Sequence, residues 1–164
     1  MRGSQDHQGR MSDVDVERFV DLMQATISQL EAFDFAPVFT SMLETLHQGF
    51  ESNFDQTRAP YGQWPPHSPM TIAIHGPHPL LILTGVMKRS VTQSGVEGRI
   101  EDIMKNEAII GTSLFYAPYQ QFGTSGPHPI PARPFLWLEG SYVDRLHERF
   151  VDEVESRLFG TGSV

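Results

Sequence analysis

Four histidines, His67, His75, His78 and His128, lie in proline-rich stretches without helical or strand periodicity, and loops of that kind can converge to hold a metal ion. A zinc site built on them would make the chain a metal-dependent enzyme. Zinc ligands, however, usually come in pairs on a regular element with carboxylates behind them. His75-Gly-Pro-His78 has neither helical register nor an acidic neighbour, so ordinary surface histidines are the competing reading and no metal or cofactor is expected. Arg133 is a different case. Pro131 and Pro134 on either side leave its backbone few freedoms, and a guanidinium held at a fixed place can cap loop carbonyls or grip a carboxylate with two parallel bonds. A structural lock is the first reading and capture of a partner's acid the second.

Arg133 belongs to Tyr116–Leu136, YAPYQQFGTSGPHPIPARPFL, where aromatics, glycines and prolines crowd together. Proline removes a backbone donor and glycine permits turns, so this density predicts a long shaped loop rather than a helix or a central strand. Its rings must be covered by their own domain or by a neighbour. Tyr116, Tyr119, Gln121, Phe122, Arg133 and Phe135 are therefore the candidate interface residues, together with Trp64, which is either a core plug or an interface anchor.

The surrounding elements follow from spacing. Val16, Phe19, Leu22, Met23, Ile27 and Leu30 recur every three or four residues and predict a helix over 14–30, capped by Ser12 or Asp13. Phe35, Val38, Phe39, Met42, Leu43, Leu46, Phe50 and Phe54 predict a second, with Pro37 near its start and Asp34 as a possible cap. The two are expected to pack as a hairpin or bend. Residues 59–79 read mostly as extended loop, and 80–90 as a short strand or helix ending at Gly85 and then a second element. Alternation over Ser90–Thr112 predicts three strands, with a turn at Lys105-Asn106. Trp137 and Leu138 read as strand-like. A last helix runs from Ser141, a near capping box with Asp144, to a stop at Gly160.

The sum is an α+β fold: N-terminal helices and a C-terminal helix packed on a small, mainly antiparallel β-sheet with long Pro/Gly-rich loops. Residues 1–11 read as an expression leader or disordered N-terminus, 12–160 as one domain, and 161–164 as a disordered C-terminus. A formal net charge of −8 with no block of Lys or Arg argues against binding through nucleic-acid phosphates. The absence of cysteine removes disulfides, thiolate catalysis and cysteine-based zinc sites. No apolar run approaches the ~20 residues of a membrane helix, and no nucleotide-binding or hydrolase motif occurs.

Several ordered motifs nevertheless carry a resemblance. They are Pro60-Tyr61-Gly62-Gln63-Trp64, Leu81-Ile82-Leu83-Thr84-Gly85 followed by Lys88-Arg89-Ser90, Tyr116-Ala117 with Gln120-Gln121-Phe122-Gly123, and Pro131-Ala132-Arg133-Pro134-Phe135-Leu136. In this order they resemble the bacteriophage virion morphogenesis family of tail completion and head-tail connector proteins, over roughly Leu46 to the start of the last helix. Gln120 stands where that family usually has histidine, and the Gly62–Trp64 spacing is one residue tighter than the commonest pattern. The resemblance implies a structural protein, with no enzymatic activity, that completes the tail end or joins head and tail. It implies a ring homo-oligomer, often sixfold, with tail tube, tail terminator or head-connector proteins as partners. DNA would pass nearby without specific binding, and the protein would reside in the virion after assembly in the bacterial cytoplasm. A metal-dependent enzyme and a monomeric protein-binding adaptor are the alternatives.

Overall fold

The computed structural model describes residues 13–160, with side chains from residue 15 onward. The expected leader over 1–11, the cap at Ser12 and the tail over 161–164 lie outside the described residues. Where one domain over 12–160 is expected, the chain divides into two compact units, with the boundary between Asp34 and Phe35.

The first unit holds α1, Asp13–Ala32. The apolar residues expected on its face, with Val20 added, remain exposed: Val16, Phe19, Leu22, Met23, Ile27 and Leu30 each keep 45% or more of their surface.

The second unit begins with α2, Ala36–Gln56. Phe35, not Asp34, is its N-cap residue and makes no side-chain cap bond. The start is fixed another way: the Phe35 N–H donates to the carbonyl of Lys105 at 2.9 Å, and its ring stacks on Phe39 and Phe150 at 6.2 and 6.0 Å. Val38, Phe50 and Phe54 recur at helical spacing and are buried. A short antiparallel hairpin follows, β1 Arg58–Ala59 and β2 Gly62–Gln63.

Within the stretch expected to be extended loop, α3 forms over Pro69–His75. Ser68 caps it, accepting from the Thr71 N–H at 3.1 Å, and Pro69 occupies the first turn, where its missing donor costs nothing. The surrounding prolines masked this cap. Next, α4 spans Val86–Thr92 and takes the place of the first of the three expected strands. Met87, Ser90 and Val91 are buried on it, and that three-and-four spacing fits a helix better than alternation. Lys88 ties α4 to α2 through Asp55 and Glu51, at 2.8 and 3.0 Å. Burial lowers the Lys88 ammonium pKa, but the two carboxylates outweigh it and raise the value overall.

Only the last two expected strands form: β3 Arg99–Ile103 pairs antiparallel with β4 Ala108–Thr112. The turn between them falls at Lys105-Asn106, closed by the Met104 N–H on the Glu107 carbonyl at 2.8 Å. The sequence 116–136, expected as one loop, opens with the short helix α5, Ala117–Phe122. Trp137 and Leu138 are extended but belong to no ladder. Finally α6, Gly140–Phe159, starts at Glu139 rather than Ser141 and ends at Gly160 in the left-handed region, as expected. Its approach to α2 requires Gly49, where a Cβ would lie 2.5 Å from Leu138 and 3.3 Å from Tyr142.

The described residues thus form an α+β fold of six helices and two separate two-stranded antiparallel sheets. Phe50, Phe54, Ala59, Trp64, Met87, Val91, Ala117 and Phe135 make one core. Fully burying a ring such as Phe135 contributes on the order of 2–3 kcal/mol.

Candidate functional site

The centre of the second unit is the segment Arg133–Trp137. It has no strand neighbour, yet its backbone groups cannot be buried without partners. Side chains from three distant places supply them. Trp64 Nε1–H donates to the Pro134 carbonyl at 2.9 Å. Asn53, 4% exposed on α2, donates to the carbonyls of Phe135 and Trp137 at 2.9 and 2.8 Å. The Gln121 side-chain oxygen, Oε1, accepts from the N–H groups of Phe135 and Leu136 at 2.9 and 3.0 Å. Arg133 works in the opposite direction and caps loop carbonyls: Nε–H donates to Pro65 at 2.8 Å and an Nη2–H to Pro66 at 2.9 Å. Its backbone N–H reaches the Gln120 carbonyl at 2.7 Å. No carboxylate pairs with Arg133 among the described residues, and burial lowers the pKa of its guanidinium.

The candidate interface residues therefore separate into three groups. Trp64, Arg133 and Phe135 are 4%, 6% and 0% exposed: Trp64 takes the core-plug reading, Arg133 caps loop carbonyls as a lock would, and Phe135 packs within its own domain. Gln121 and Tyr116 are half-buried, Gln121 as a backbone brace and Tyr116 against the core. Tyr119 and Phe122 remain outside, Phe122 at 78% exposure. Phe115, which sequence reasoning passed over, is more exposed still at 82%. Tyr119 and Phe122 lie three residues apart on α5, and Phe115 stands just before its first turn, so the three exposed rings follow one another along the chain as a stripe, and their spacing in the sequence was the signal available. The stripe rides on a braced support, since Gly123 (φ 72°) follows it and a Cβ there would lie 2.8 Å from the backbone of Ile130 and Ala132. The loop 124–130 is pinned at that point by two bonds of 2.9 Å between Thr124 and Ile130.

The loop histidines are partly brought together. The rings of His67 and His78 lie 4.3 Å apart and those of His75 and His78 6.3 Å apart. Burial, with His78 next, lowers the His67 imidazole pKa, and its Nε2 is buried without a hydrogen-bond partner. Among the described residues no group of three His, Cys, Asp or Glu side chains is disposed to hold a metal ion. All four histidines instead line a cavity of about 950 Å³, together with Arg133 and residues of α3 and α5.

A second polar cluster stabilises the hairpin. Arg99 donates to the Glu101 carboxylate and to the Val91 carbonyl, and its Nη2 lies 2.8 Å from His47 Nε2. Burial, and after it the Arg99 charge, lowers the His47 imidazole pKa. Burial raises that of the Glu101 carboxyl, but hydrogen bonds from Ser94 and Arg99 outweigh it and lower the value overall. Ser90, fully buried, joins α4 to β4 through the Thr112 hydroxyl at 2.9 Å.

No family model, curated protein or solved structure matches the chain. No helix among the described residues is long and apolar enough to cross a membrane.

Proposed function

We propose that this chain is a structural assembly subunit of a phage, prophage or phage-derived particle, completing the tail end or joining head and tail as part of a ring. One observation carries the reading: the motif residues build a braced support, and that support holds Phe115, Tyr119 and Phe122 out to solvent. An aromatic stripe on a rigid base is a surface that binds by shape, because little ordering entropy is lost when it docks. The partner is another copy of the chain, a tail tube or terminator protein, or a head connector. The net charge of −8 suits a ring through which DNA slides without being held. In this role the protein acts without chemistry and resides in the virion.

The test is genetic and then structural. Loss of the gene should leave unjoined heads and tails or tails with defective ends, and image reconstruction of intact particles should place the stripe at a subunit contact. Normal infectious particles in its absence would overturn the proposal.

A further inference from the structure

We propose that the 950 Å³ cavity is a binding site for a carboxylate carried on an apolar body. This inference does not depend on the assembly role. The chain has 20 acidic and 12 basic residues, yet among the described residues that line this cavity none is Asp or Glu, while Arg133, His67, His75, His78 and His128 all do. That segregation leaves Arg133 as the one permanently charged side chain on the described lining, and the size of the cavity falls within the range of small-ligand sites.

Arg133 supplies the permanent charge. Its guanidinium carries five N–H groups, of which three are taken by Pro65, Pro66 and, at 3.4 Å, the Gln120 side chain. No protein carboxylate neutralises it among the described residues. The Pro65 and Pro66 bonds hold the plane of the group still, so an incoming acid meets an oriented donor. The lining favours a carboxylate over a phosphate. A phosphate is typically cradled by several backbone N–H groups, and Pro66, Pro127, Pro129 and Pro131 remove those donors from the wall. Met70, Leu81, Leu83, Val86 and Met87 provide the apolar remainder, which a bare inorganic anion would leave unfilled.

A carboxylate of this kind can arrive on a small molecule or within a peptide, and paired probes separate the two. Binding to the full chain is followed through the imidazole proton resonances of the four histidines. The probes are 4-phenylbutyrate against 4-phenylbutyramide, and acetyl-Leu-Glu-Phe-amide against its glutamine twin. At least one acid should shift these resonances saturably and bind roughly tenfold tighter than its neutral twin. Thr84→Glu and His128→Glu each place a carboxylate at an exposed position of the lining and leave the bonds of Arg133 to Pro65 and Pro66 untouched. Each should weaken acid binding roughly tenfold by like-charge repulsion. Binding of the peptide acid alone supports a protein source, binding of phenylbutyrate alone a small-molecule source, and binding of both the shared chemistry. The proposal is overturned if neither acid shifts the histidines, if the neutral twins bind equally well, or if both variants leave affinity unchanged.

Discussion

Arg133 and Trp64 each stabilise the other's loop: Trp64 donates to the carbonyl of Pro134, next to Arg133, and Arg133 donates back to the carbonyl of Pro65, next to Trp64. The two loops are thus cross-bonded through one residue on each and its neighbour, without a strand ladder between them.

Removing Arg133 should therefore unfold the subunit before it affects any contact outside. Arg133→Ala leaves the Pro65 and Pro66 carbonyls without donors and should cost about 2–4 kcal/mol. Arg133→Lys should recover less than half of that, because an ammonium cannot reproduce the planar fork. Urea denaturation of the purified chain measures both, and a fully stable lysine variant would contradict the assigned role.

Phe122→Ala should behave in the opposite way. A ring 78% exposed leaves folding stability within about 0.5 kcal/mol of the parent when truncated. Particle assembly should nonetheless fall at least several-fold, and Phe115→Ala should act with it. Equal assembly by the double variant, with unchanged thermal stability, would move the contact surface elsewhere.

Gly123→Ala should be destabilising by about 1–3 kcal/mol, since a positive φ and a backbone contact of 2.8 Å both oppose a Cβ. Gly126→Ala provides the comparison, because a Cβ there meets nothing and only its backbone angle opposes the change. Thermal melts of the two variants should rank them in that order.

Acid should destabilise the second unit. The pKa values of His47, His67 and Glu101 are all lowered in the folded chain. Each group therefore contributes stability that is complete above its unfolded pKa and is lost as pH falls through the folded value. For the two histidines the loss begins below about pH 6.5, and for Glu101 below about pH 4.3. Replacing His47 with Gln should flatten the upper part of this decline. An unchanged stability profile between roughly pH 7 and 5 would exclude His47 as its source.

The helices α1, α2 and α6 were legible because their apolar residues repeat every three or four positions over five turns or more. The short elements were not. Seven residues of α3 and seven of α4 offer about two turns each, too few to distinguish helix from alternation, and in α3 the prolines concealed the Ser68 cap. Arg133 was readable as a lock from its flanking prolines, although its acceptors, Pro65 and Pro66, were not. Asn53 left no trace at all: a polar residue on a predicted helix reads as solvated, and only the tertiary fold places Phe135 and Trp137 above it. Phe115 was overlooked for a related reason, because its companions belong to a helix that the surrounding prolines obscured.

The bracing of residues 133–137 by side chains also constrains how the chain is made. Asn53, Trp64 and Arg133 meet partners 82, 70 and 68 positions away, so none of these bonds can form until most of the protein has left the ribosome. Contacts of such long range are closed at an entropic cost before they return any energy, which slows folding. A nascent chain with Trp137 still inside the ribosome should remain protease-sensitive from α2 onward, and one extended past α6 by a linker long enough to bring the whole chain out of the tunnel should be resistant. Protection acquired earlier would mean that the helices reach a stable state without the brace.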